Sequence, residues 1–141
     1  MEFKTRRYVG QGVNHEGEDF EGTFLVEPVE NTQAYNYSYR AVRIEDGTQV
    51  HYECGLIGVD EGGVPSIHTQ MDELPSVSVH QQRRDEDDVH AFGFEGGGSL
   101  AGFVSELVFQ FNADGFRLTH RWAMNAPLQD RSWCDLVAVD G

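Results

Sequence analysis

Histidine is the residue of this chain best suited to acid–base or ligand chemistry, and one of its six histidines stands out. His120 interrupts the apolar row of "GFRLTHRW", in which Phe116, Leu118 and Trp122 share its phase. Alternation with a period of two is typical of a half-buried strand. Three roles stay open for His120: a hydrogen-bonded core residue, a group that orients a bound ligand, or a catalytic acid or base.

Residue spacing does not indicate a metal site. The chain has no HxH, HExxH or CxxC motif, which are the spacings that place metal ligands on one local element. His51 and Glu53 share one face of "VHYEC", and His68 of "SIHTQ" could meet them across adjacent strands, because opposed residues lie about 5 Å apart. A site assembled across strands in this way cannot be recognised from the sequence alone. We therefore predict no metal and no cofactor.

Motifs for nucleophilic catalysis or phosphate binding are also missing. The chain has no GxSxG motif, and Ser99 lies in the glycine-rich "GGGSL" without an identifiable base. Neither a lysine nor a helix start follows "EGGGS", so we interpret it as a flexible turn and not as a phosphate loop. The acidic residues 86–88 are expected in a solvated turn, unlike the paired carboxylates of a glycosidase. No catalytic residue is assigned, and whether the protein is an enzyme stays open.

Turn signals divide the chain into eight to ten short strands. Their spacing of about 8 to 12 residues, without a convincing helix, predicts an all-β fold in one domain, residues 1–141. "LAGFVSELVFQF" fits helix and strand periods alike, but its glycine-rich start and the "NADG" after it favour a strand for residues 103–111. Residues 83–88, "RRDEDD", are expected to form a charged hairpin tip or a mobile loop. Sequential hairpins favour a single antiparallel up-and-down β-barrel.

Composition restricts the partners and the location. Ten basic against twenty-four acidic residues give a net charge of −14, which argues against binding to nucleic acid or to an anionic membrane surface. The first residues lack a secretory signal, and no apolar run reaches the roughly 18 residues of a membrane span. We therefore expect a cytoplasmic protein. Cys54 and Cys134 are expected to be free buried thiols of a reducing compartment.

Three stretches carry a resemblance to a known family: "GTFLVEPVENTQAYNYSYRA", "YECGLIGVDEGG" and "SELVFQFNADGFRLTHRWAMNAP". They resemble small bacterial calycin-like proteins, which are lipocalin-like β-barrels of unknown function. Heme-binding nitrobindins and fatty-acid-binding proteins are more distant relatives of that group. The resemblance implies a closed antiparallel barrel with an internal cavity. Nitrobindins hold heme iron through a histidine on the last strand, and the corresponding "DRSWCDLVAV" has none, so a heme is not expected.

Inward-facing side chains of a barrel form its lumen, and the apolar phase of each strand indicates which residues those are. The tyrosines of "AYNYSYRA" could bring polar groups to the lumen, or could instead cover the outer surface as cross-strand aromatic pairs. Nine residues are predicted to contact a ligand: Tyr35, Tyr37, Tyr39, His68, His90, Phe92, Phe109, His120 and Trp122.

The leading hypothesis for function is a binding module whose lumen takes a small hydrophobic or amphipathic molecule. One alternative is a cofactor-independent isomerase or cyclase that uses a lumen histidine or tyrosine as acid or base. Another is a structural barrel with a filled core that forms a homo-oligomer through its outer aromatic faces.

Overall fold

Ten antiparallel strands close into one barrel in the computed structural model, which describes residues 1–139. Each strand pairs with its neighbours in the chain, and β1 pairs with β10 to close the sheet. The prediction of an all-β up-and-down barrel is confirmed. The strands are β1 (Arg7–Val13), β2 (Asp19–Pro28), β3 (Tyr35–Arg43), β4 (Gln49–Val59), β5 (Pro65–Met71), β6 (Ser78–Glu86), β7 (Val89–Glu95), β8 (Phe103–Phe111), β9 (Gly115–Met124) and β10 (Gln129–Val139).

Alternation along the strands explains why these segments form a barrel. In β2, Phe20, Phe24 and Val26 are buried, whereas Glu21 and Glu27 between and beyond them are exposed. One face of each strand therefore fills the lumen and the other meets water. Outside the strands, the described residues contain one short 3-10 turn, Gly98–Leu100. Among them no helix has the length and apolarity that a membrane span requires.

The first strand was not identified from the sequence because two of its inward positions, after the buried Tyr8, are glycines. "RYVGQGV" has Gly10 and Gly12 where an apolar pattern would have large side chains. A Cβ at Gly10 would lie 1.6 Å from the carbonyl oxygen of Asp135 on β10. Only glycine lets the two backbones approach so closely at the point where the barrel closes.

Two other local predictions are settled by strand pairing. Residues 103–111 form β8, as the turn signals predicted. The expected charged tip at 83–88 is shorter than predicted, because β6 continues to Glu86 and pairs with β7 through a register shift between Gln82 and Arg84. Asp87, with a φ of 48°, lies in the turn that follows. Both cysteines are free, but Cys54 is exposed, which corrects the expectation of two buried thiols.

An aromatic plug fills one end of the barrel. Phe3, from the segment before β1, contacts the rings of Tyr35 and Phe24 at centroid distances of 5.3 and 5.6 Å. It also packs against Phe111 and Phe116. We call this end the closed half. It is packed with rings in offset and edge-to-face arrangements, as protein interiors are. The opposite end, with the loops after β1, β3 and β5, is the open half.

Candidate functional site

A cavity of about 430 Å³ lies in the open half. Its apolar lining residues are Phe20, Ala41, Val50, Met71, Leu74, Phe103 and Trp122. Its polar lining includes four residues that we call the polar wall: Tyr39, His51, Ser105 and His120. The volume lies within the range of small-molecule sites, and the combination of an apolar lining with a few polar groups is typical of them. The lumen is therefore filled in one half and hollow in the other.

Glu53 lies behind the polar wall and forms hydrogen bonds with both of its histidines, His51 and His120. Its side chain is 1% exposed. Its Oε1 atom lies 2.5 Å from His120 Nε2 and 2.8 Å from His51 Nε2. Its Oε2 atom accepts a hydrogen bond of 2.5 Å from the Tyr37 hydroxyl, which is also 2.7 Å from Thr69 Oγ1. A buried carboxylate is tolerated only when it is paired in this way.

The contact between Glu53 and His120 crosses the lumen. Glu53 belongs to β4 and His120 to β9, and these strands are on opposite sides of the closed ten-strand order. On the Glu53 side, Gly55 is paired with Tyr37 of β3 and Thr69 of β5. The Tyr37 hydroxyl lies between Thr69 and Glu53. The cluster is thus assembled by closure of the barrel and not by neighbouring positions in the chain.

His51 is held between two carboxylates. Its Nε2 atom faces Glu53, and its Nδ1 atom lies 2.6 Å from Glu73 Oε2. Burial lowers the pKa of His51, but the hydrogen bonds and charges of Glu53 and Glu73 outweigh it and raise the pKa to about 10. Burial likewise raises the pKa of Glu53, and the charges of His120 and His51 outweigh it and hold that pKa well below its usual value. At neutral pH His51 is an imidazolium paired with carboxylates.

His80 shows the opposite behaviour in a similar degree of burial. Its side chain is fully buried, and Nε2 lies 3.1 Å from Ser105 Oγ. Burial without a carboxylate in contact lowers the pKa of His80 to about 4, so the ring is neutral. The contrast with His51 shows that the carboxylates, and not the depth in the barrel, determine which histidine is charged.

Tyr39 completes the polar wall beside His120. The two rings stack, with centroids 5.6 Å apart and an interplanar angle of 19°. The Tyr39 hydroxyl is buried without a hydrogen-bond partner among the described residues. Burial raises the pKa of Tyr39 well above its ordinary value and raises that of the Cys134 thiol to about 12. Both groups are neutral, so Cys134 does not have the thiolate character of a nucleophile.

Three of the nine residues predicted from the sequence line the cavity: Tyr39, His120 and Trp122. Tyr37 lies behind them, hydrogen-bonded to Glu53. The tyrosines of β3 therefore face inward, which decides between the two interpretations left open above. Four predicted residues lie in the core or in the closed half, away from the cavity: Tyr35, His90, Phe92 and Phe109.

The expectation that His68 faces the lumen is corrected. Ile67, Thr69 and Met71 are buried and take the inward phase of β5, so His68 is exposed on the outer face. A one-residue step along a strand reverses the side on which a side chain lies. His68 therefore does not join His51 and Glu53, and His120 from the opposite side of the barrel takes that place.

The sequence-based site prediction did not include His51, Glu53 and Ser105. A signal was present in β4, where His51 and Glu53 share the inward phase with Ile57. An acidic residue in an inward row is costly unless a partner compensates it, so Glu53 indicated a polar partner within the lumen. The sequence did not indicate which strand would provide that partner.

Two groups of side chains bring potential metal ligands together. The ligand atoms of His51, Glu53 and His120 lie within 4.8 Å of one another, and so do those of His51, Asp72 and Glu73. The first group lies at the wall of the cavity, with Glu53 buried behind His51 and His120, and combines two imidazoles with one carboxylate. The second group is at the mouth, where Asp72 and Glu73 are exposed.

Comparison with known proteins supports the fold. No family model matches the chain, and no curated protein matches it in sequence. The crystal structure of Rv2717c from M. tuberculosis is similar to this chain, with a TM-score of 0.70 and 16% identity. The similarity covers 96% of this chain and 92% of that protein. At this identity it shows a shared barrel fold and carries no residue roles.

Proposed function

We propose that this chain is a calycin-like binding barrel whose open-half cavity takes one small amphipathic molecule. The observation that carries the proposal is the composition of the cavity lining, which combines apolar side chains with the hydrogen-bonding groups of the polar wall. The aromatic plug supports it, because it fills the lumen of the closed half and leaves the open half as the hollow part of the lumen.

The lining defines how such a molecule would be oriented. Its apolar part would pack against Phe20, Phe103 and Trp122, and its polar group would meet His120 and Ser105. Trp122 is held in place at this site, because the Arg131 guanidinium lies 4.4 Å from the centre of its ring and the His15 ring packs edge-on at 5.7 Å. An aromatic residue fixed in advance loses little entropy when a ligand binds.

Native mass spectrometry of freshly purified protein tests the proposal directly. We expect a mass above that of the denatured chain by one small molecule, which is released on denaturation. The added mass would identify the chemical class of the ligand. A mass equal to that of the bare chain, combined with no binding of an amphipathic naphthalene sulfonate dye, would contradict the proposal.

Two tryptophans provide a matched pair of variants for the dye experiment. Trp122 lines the cavity, whereas Trp133 stacks on Arg117 at 4.4 Å and does not line it. We expect Trp122→Ala to weaken dye binding about tenfold, because a central aromatic contact is lost. Trp133→Ala should leave the affinity unchanged. Equal effects of the two substitutions would show that the dye binds elsewhere.

A further inference from the structure

We propose that His51, Glu53 and His120 form a binding site for one divalent transition-metal ion at the wall of the cavity. The proposal goes beyond small-molecule binding and does not depend on it. Two imidazoles and one carboxylate are a ligand set that zinc and ferrous iron take in proteins. In this barrel the three ligands come from two strands on opposite sides of the lumen, so no local sequence motif predicts the site.

The positions of the ligand atoms fit a metal ion. His51 Nε2 and His120 Nε2 both point at the same oxygen of Glu53, at 2.8 and 2.5 Å. Adjacent ligands around an ion with bonds of about 2.1 Å lie about 3 Å apart, so a small outward shift of the rings admits the ion. Each Nε2 must then be unprotonated. An ion would thus replace the protons that now bridge the histidines to the carboxylate.

The groups around two of the three ligands, His51 and Glu53, are those that orient metal ligands in known sites. His51 Nδ1 lies 2.6 Å from Glu73 Oε2, so this carboxylate fixes the ring and leaves Nε2 for the metal. The Tyr37 hydroxyl occupies Glu53 Oε2 and leaves Oε1 as a single ligand oxygen. Metal-binding histidines commonly donate their other N–H to a carboxylate, and metal-binding carboxylates are themselves hydrogen-bonded.

Charge and access also favour the site. Neutral histidines, a dipositive ion and the carboxylates of Glu53 and Glu73 sum to zero, which satisfies the requirement that buried charge be compensated. His51 and His120 line the cavity, so an ion held by them would have its open coordination positions on the side that a small molecule reaches. Three protein ligands with open positions are typical of catalytic metal sites and not of structural ones.

The first test uses untagged protein freed of metal with a chelator and titrated with Co²⁺. We expect one equivalent to bind with visible d–d absorption, and Zn²⁺ to displace it. The thiolate-to-cobalt charge-transfer band should be missing, because neither cysteine belongs to the site. In the wild-type protein, Zn²⁺ should shift the ¹⁵N resonances of the His51 and His120 rings. Failure of the wild-type protein to bind one equivalent of either ion would overturn the proposal.

Substitutions then locate the ion. Glu53→Gln and His120→Gln should each weaken binding at least about 100-fold, because each removes a ligand. Glu73→Gln should weaken it about 10-fold to 100-fold, as expected of a residue that orients a ligand. His68→Gln is the matched control on the outer face of β5 and should have no effect.

Asp72→Asn separates the buried group from the exposed group at the mouth. It should leave Co²⁺ affinity unchanged, because Asp72 belongs only to the exposed group. Loss of binding in Asp72→Asn with retention in Glu53→Gln would place the ion at the mouth and refute the buried site. Circular dichroism of each variant checks that it is folded, and the ring resonances of the wild-type protein decide the case if Glu53→Gln does not fold.

Discussion

The two halves of this barrel are made by the same alternation of side chains, but one half is packed and the other encloses a cavity. In the closed half many inward positions carry aromatic rings, and Phe3 from the N-terminal segment packs among them. In the open half the inward positions include His51, Glu53, His120 and a cavity. The closed half gains packing energy from nearly every side chain. The open half gives up part of that packing and keeps buried polar groups, which is characteristic of functional sites.

The largest expected effect compares one phenylalanine from each half. Phe24 is fully buried among the rings of the closed half, so Phe24→Ala should lower the free energy of unfolding by about 3–5 kcal/mol. Phe103 lines the cavity and is only partly buried. Phe103→Ala should cost less than about 1.5 kcal/mol, because little packing is lost beside a cavity. Urea unfolding of both variants measures the difference, and equal losses would contradict the division into two halves.

A second comparison uses the hydroxyl groups of two tyrosines on β3. Tyr37 donates to the buried carboxylate of Glu53, whereas Tyr35 packs against Phe3 in the closed half. Tyr37→Phe should lower the free energy of unfolding by about 1.5–3 kcal/mol, the usual effect of losing a hydrogen bond to a charged group. Tyr35→Phe should change it by less than about 0.5 kcal/mol. Similar values for both variants would mean that the polar cluster contributes nothing specific.

The pH dependence of stability isolates the neutral histidine of the open half. The folded pKa of His80 is about 4, whereas an unfolded histidine titrates near 6.5. Between these values only the unfolded chain binds the proton, so this contribution to stability is complete above pH 6.5 and declines as the pH falls toward 4. The slope due to His80 should reach about 1.4 kcal/mol per pH unit.

The matched variant for that experiment is His80→Gln, which keeps a polar side chain but does not titrate. Chemical unfolding is measured from pH 7 to pH 4 in the presence of a chelator for both proteins. We expect a shallower decline in the variant. Carboxylates such as Glu53 affect both proteins alike, so the difference between the curves reports His80. Parallel curves would show that His80 titrates normally in the folded protein.

Much of the fold was predictable because alternation and turn chemistry act locally. Residues 103–111 are a strand since "NADG" makes the following hairpin, and the inward phase of β9 was correct for Phe116 and Leu118. Prediction failed where no apolar pattern exists. The glycines of β1 carry no such pattern, and the charged end of β6 is held by pairing with β7.

The candidate site was only partly predictable, for a related reason. His120, Trp122 and Tyr39 were found because each lies in an apolar row of its own strand. His68 was placed wrongly because a single step in phase moves a side chain to the outer face. Glu53 was visible as an acidic residue in an inward row, but its partner was not.

The sequence by itself determined most of the strands, the turns between them and, for many strands, the side that faces the lumen, because these depend on neighbouring residues. Only the tertiary structure decided which strands lie opposite one another. Closure of ten strands places β4 against β9 across the lumen and so brings Glu53 to His120. It also decided that one half is plugged and the other hollow, since Phe3 reaches its place from outside the sheet. Contacts across a barrel depend on its strand number and closure, which no local pattern of residues encodes.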